Sequence, residues 1–144
     1  MHLLKTEQGC YPGQADPFIL KSGGRYYIYV TGHDAIYAYH SDKLLEGWQY
    51  YGPVMSVPGL HAFWAPSVIE LDGKFYMYNS IEIYNDTPDK GGHRGAMHVS
   101  VADNPLGPFT KVQESAGGLI LGAEPHWDHA SSTASHAFAR AGEE

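Results

Sequence analysis

Asp16, in the run ADPFI, and Trp64, in HAFWAPSV, are the side chains of this sequence best suited to work on a neutral, hydroxyl-rich ring. A carboxylate can take a proton from water, and an indole offers a flat apolar face on which a sugar ring stacks. Asp128, in AEPHWDHA, is a second acid of interest. Two carboxylates facing one cavity are the raw material for acid and base work. Each residue also has an ordinary reading. Asp-Pro favours turn initiation whatever the function. A lone Trp more often fills space between sheets, and Asp128 can be an incidental acid in a loop.

Other chemistries find less support. Nine histidines include the pair His126 and His129, but two His three apart, with no second cluster and no paired Cys, match no zinc pattern. There is no Gly-x-Ser-x-Gly, no P-loop and no Gly-x-Gly-x-x-Gly. Nine Lys and Arg stand against sixteen Asp and Glu, and a net charge of −7 repels nucleic acid. The single Cys10 forms no intrachain disulfide, so nothing demands an oxidising compartment. MHLLKTEQGC lacks the apolar core of a signal peptide, and no stretch is long enough to cross a membrane. A cytoplasmic location is expected, or an extracellular one if a leader is missing.

What must position these residues is a repeat. ADPFILKSGGRYYIYVT, from Ala15, recurs 49 positions later as APSVIELDGKFYMYNS, with Pro17 on Pro66, Gly24 on Gly73, Tyr27 on Tyr76 and Tyr29 on Tyr78. AIYAYHSDKLLEGW, from Ala35, then recurs at an offset of 61 as AMHVSVADNPLGPF, so the second copy holds a twelve-residue insertion within 81–94. Each copy reads as four short strands: an apolar run after proline, a turn at SGG or DGK, an aromatic run, an alternating run, and a last run after a Gly- or Pro-containing turn. Four antiparallel strands repeated in roughly 50 residues are the mark of a β-propeller. A β-sandwich or an eight-stranded barrel is the competing arrangement. The tyrosines that recur in register are expected to pack blade on blade.

In a propeller the innermost strands line the central channel, so Asp16 stands at the channel end of the first blade. Its copy in the second blade is Ala65, which shows that the blade itself does not need the acid. The next blade is due near residue 126, within two positions of Asp128. After about Ala130 the alternation stops. Residues 1–130 are therefore expected to belong to the propeller, and 131–144 to form a disordered or non-native tail, as in a truncated or frame-shifted gene.

The joint order of ADPFI, WAPSVIELDGKFYMY and SVADNPLGPF resembles the family 43 glycoside hydrolases over about residues 12–130. The resemblance implies a five-bladed propeller that hydrolyses arabinose- or xylose-containing plant saccharides with inversion. It also implies Asp16 as general base, Asp128 as the residue that orients and tunes the acid, and Trp64 as a subsite aromatic, with Phe63 and His61 sharing the rim. The general acid would lie beyond residue 144, so this chain is expected to be inactive alone. No cofactor is implied beyond a structural calcium held by later blades in some relatives. The partner is an arabinosyl or xylosyl oligo- or polysaccharide, with no nucleic acid and no membrane, and uncovered blade faces would favour self-association. The insertion around 82–94 would be a loop over the pocket or an idle solvent loop. A non-catalytic carbohydrate-binding or interaction fragment is the other function that fits.

Overall fold

The computed structural model describes residues 15–58, 60–84, 93–112 and 119–122. Strand formers and left-handed glycines divide the first copy into hairpins. β1 (Phe18–Ser22) turns through Gly23 and Gly24, both at positive φ, into β2 (Arg25–Val30). β3 (Ile36–Ser41) and β4 (Gln49–Met55) complete an antiparallel sheet in the order β1-β2-β3-β4. The second copy forms β5 (His61–Leu71), β6 (Lys74–Tyr84), β7 (His93–Ala102) and β8 (Thr110–Lys111), again in sequence order. β9 (Leu119–Gly122) pairs with β7 at Ala96 to His98, along the edge where β8 pairs with Ser100 and Val101. All nine described elements are strands.

The ladders repeat with the sequence. Phe18 opposite Tyr29 recurs as Ser67 opposite Tyr78, and Val30 opposite Tyr37 recurs as Asn79 opposite His98. Two sheets built to one register, each in simple up-and-down order, are the two blades the repeat predicts. Even the exposed ion pairs recur: Arg25 to Asp42 at 2.5 Å and Lys74 to Asp103 at 2.9 Å. The hydrogen bond from Arg25 holds the Asp42 carboxyl below the usual carboxylate range. A depressed folded-state value means the pair's contribution is present above the ordinary aspartate range and is lost as pH falls through the lowered value. Both partners are exposed, so the effect on stability is small. An NMR titration should show Asp42 protonating at lower pH than a free aspartate, and Arg25→Gln should return it to the ordinary range.

The insertion is a paired arm where a loop was expected. The β6–β7 ladder continues past Asn79 and His98 through Ile81 opposite Ala96 to Tyr84 opposite His93. The run SIEIY keeps the strand alternation, so the β6–β7 pair runs on where the first blade's β2–β3 pair stops. Residues 85–92 lie outside the described residues, as does the 131–144 tail.

The larger of two buried apolar clusters lies between the blades. Tyr27 and Tyr29 of the first blade meet Val68, Phe75 and Met77 of the second, with Ile36, Met55, Phe63 and Phe109 completing the cluster. Side chains alternate across a strand, so Phe75 and Met77 facing inward send Tyr76 and Tyr78 to the opposite face, where they are half-buried. The recurring tyrosines thus divide: the first pair seals this interface and the second faces away from it. Tyr29 is fully buried; its hydroxyl donates to the Pro105 carbonyl at 2.7 Å and its ring meets Phe109 edge-on. Burial pushes that hydroxyl's pKa far above the usual tyrosine range. Tyr29→Phe removes a hydrogen bond between blade one and the β7–β8 loop, and urea denaturation should show a loss of ~1 kcal/mol.

Candidate active site

Asp16 sits in the turn ahead of β1 with φ at 48°, in the left-handed region that Asp tolerates better than most residues. The residue is exposed, and Oδ2 accepts a hydrogen bond from the Thr31 hydroxyl at 3.0 Å. Among the described residues nothing bonds to Oδ1. Thr31 follows β2 and is buried; its N–H donates to the Ala15 carbonyl at 3.1 Å, which closes the strand start against the strand end. Its Oγ1 also accepts the N–H of Ala65, in the second blade, at 3.1 Å.

The two blades are joined at this end by further backbone bonds. Gly32 and Phe63 exchange both hydrogen bonds, at 3.1 and 2.9 Å, and Ala62 donates to the His33 carbonyl at 2.6 Å. To reach across, β5 breaks its pairing with β6 twice, between His61 and Trp64 and between Trp64 and Ser67. Ala62 and Ala65 take positive φ at 56° and 49° beside these breaks. The irregular stretch sends neighbouring side chains in opposite directions. Trp64 is 39% exposed, whereas Phe63 is fully buried in the interblade core.

The structure therefore brings together two of the residues singled out in the sequence. Trp64 precedes Ala65, whose N–H is on Thr31, whose hydroxyl is on Asp16, so indole and carboxylate share one end of the blade pair. Phe63 is placed in the core and away from any rim. Of His61 only the backbone is described, opposite Glu82 at the base of the hairpin arm, and Asp128 lies outside the described residues. The arm rises past Ser80, the ladder partner of Trp64, and so from the same end as Asp16. Thr31 is the residue that sequence reasoning passed over. Its signal was its recurrence as Ser80, a hydroxyl at the same place in both copies. No three His, Cys, Asp or Glu side chains among the described residues are grouped to hold a metal ion.

Residues 11–128 match the model of glycosyl hydrolases family 43. The chain belongs to this family. Solved family 43 structures superpose on the two sheets, which are blades of a β-propeller. An endo-arabinase from Bacteroides thetaiotaomicron is 27% identical, with a TM-score of 0.58 over 70% of this chain and 35% of its own. An exo-β-1,3-galactanase from Clostridium thermocellum is 25% identical, with a TM-score of 0.57 over 77% of this chain and 26% of its own. A family 43 enzyme from Xanthomonas citri, solved with xylose, is 22% identical with a TM-score of 0.56 over 67% of this chain and 31% of its own, a likeness of fold. The family 43 chain thus spans about a third of the length of the first structures it matches, between 31% and 35%. No curated protein matches its sequence.

Proposed function

We propose that this family 43 chain forms the first two blades of an inverting glycoside hydrolase acting on arabinose- or xylose-containing saccharides, with Asp16 as general base. The observation that carries the reading is Asp16: an exposed residue, its carboxylate held through Oδ2, with no bond to Oδ1 among the described residues. Oδ1 would take a proton from water as the water oxygen bonds to the anomeric carbon. The glycosidic C–O bond breaks on the opposite face, and an acid ~6.5–9.5 Å from the base protonates the leaving oxygen. Trp64 offers its exposed indole to a sugar ring, and the hairpin arm at the same end restricts which saccharide can approach.

That acid would come from blades outside these residues, so the 144-residue chain alone should not turn over substrate. Ile69 and Leu71, 40% and 53% exposed on the face of blade two turned from blade one, should favour self-association of the isolated chain. The test is hydrolysis of nitrophenyl arabinofuranoside, xylopyranoside and galactopyranoside by the chain alone and by a chimera completed with the remaining blades of an active family 43 enzyme. Galactoside belongs in the panel because a relative is a galactanase. Turnover of the pentosides by the chimera alone, with the inverted anomer released, supports the reading. Robust turnover by the isolated chain would refute the need for a later acid, and preference for galactoside would overturn the sugar assignment.

A further inference from the structure

We infer that Thr31 is the positioning residue of the Asp16 carboxylate, and that it makes the aim of that carboxylate depend on the docking of the second blade. The inference rests on the reading of Asp16 as the base, but its geometry is independent of turnover.

The direction of the hydrogen bonds follows from the groups present. The Ala65 N–H can only donate, so it occupies a lone pair of Thr31 Oγ1 at 3.1 Å. An ionised carboxylate can only accept, so the single hydroxyl proton of Thr31 goes to Asp16 Oδ2 at 3.0 Å. The three groups form one polarised relay from the backbone of blade two to the acid of blade one. Thr31 is 8% exposed and cannot easily exchange the carboxylate for water. Asp16 carries its carboxylate on an exposed turn, where a free side chain would sample several rotamers. Fixing Oδ2 leaves one oxygen, Oδ1, to meet a nucleophilic water. The recurrence of the pair as Ser80 and Ala65 keeps a hydroxyl where the acid has gone, so the two groups are separable, and in the first blade the hydroxyl holds a carboxylate.

The experiment is carbon-detected NMR of the Asp16 side-chain carboxyl in the full 144-residue chain, with its resonance assigned by loss in Asp16→Ala. Thr31→Val, nearly isosteric but without the hydroxyl, should shift this resonance, and Thr31→Ser should restore it. A resonance indifferent to Thr31→Val in a folded chain would overturn the inference. Should Thr31→Val fail to fold, the unsubstituted chain decides: a slowly exchanging Thr31 hydroxyl proton that is lost in Asp16→Ala supports the relay, and one unchanged by Asp16→Ala overturns it. Failure of the chimera to hydrolyse glycosides would count against the proposed activity and leave these resonances as they are.

Discussion

Asp16→Asn in the completed chimera should lower kcat by ~10²–10⁴-fold while leaving KM within a few-fold. The size follows from the role: a general base contributes that factor, and an amide cannot take a proton from water at neutral pH. The constancy of KM follows from the geometry. Asn keeps the shape of Asp, and its Oδ1 can still accept the Thr31 hydroxyl, so the turn ahead of β1 and its bond to β2 persist. In the proposed site the affinity for sugar rests on Trp64, which the substitution does not touch. Steady-state kinetics with nitrophenyl substrates measures both constants, and the melting temperature of the variant shows whether the blades are intact. A loss of kcat below tenfold would mean that another group activates the water. A loss accompanied by a large drop in melting temperature would mean that Asp16 serves the turn, the ordinary reading of an Asp-Pro pair.

The framework around Asp16 was legible because a propeller blade is written twice. Offsets of 49 and 61 in the sequence are the offsets of the strand ladders, pair for pair from Phe18 opposite Tyr29 to Asn79 opposite His98. Period-two alternation and the Gly turns fix each strand locally, and the repeat supplies the tertiary relation that alternation alone lacks. The polar, Gly-rich middle of the insertion points to a loop, whereas the strand alternation at its base decides the structure there and the ladder continues to Tyr84. Thr31 escaped notice because a threonine at the end of an aromatic run is an ordinary strand former; its hydroxyl matters only once Ala65 of the other blade is brought to it. The burial of Phe63 is hidden in the sequence for a related reason. The two breaks in the β5–β6 ladder and the left-handed alanines beside them are not announced by any glycine or proline within FWA, so residues 61 to 64 looked like one continuous rim.

Phe63 and Trp64, adjacent in sequence, should therefore respond to alanine in opposite ways. Phe63 is fully exposed to the core and not at all to solvent, packed in the cluster that holds Tyr29, Met77 and Phe109 between the blades. Its backbone also carries the paired bonds to Gly32, so the ring and the interblade connection share one residue. Phe63→Ala should leave a cavity at the blade interface and cost ~3–5 kcal/mol, the usual range for a buried Phe whose surroundings relax only in part. In a domain of this size that is a large fraction of the total stability. Trp64→Ala removes a side chain already 39% exposed and should change stability far less, within about 1 kcal/mol. If the indole stacks on sugar as proposed, the substitution should instead raise KM in the chimera. Urea denaturation of both variants beside the parent chain, followed by kinetics in the chimera, separates the two effects. A Phe63→Ala protein of normal stability with weakened sugar binding would put Phe63 back on the rim and contradict the buried position. The opposite outcome for Trp64, a large stability loss with KM unchanged, would make that indole packing between blades and leave Asp16 without its aromatic partner.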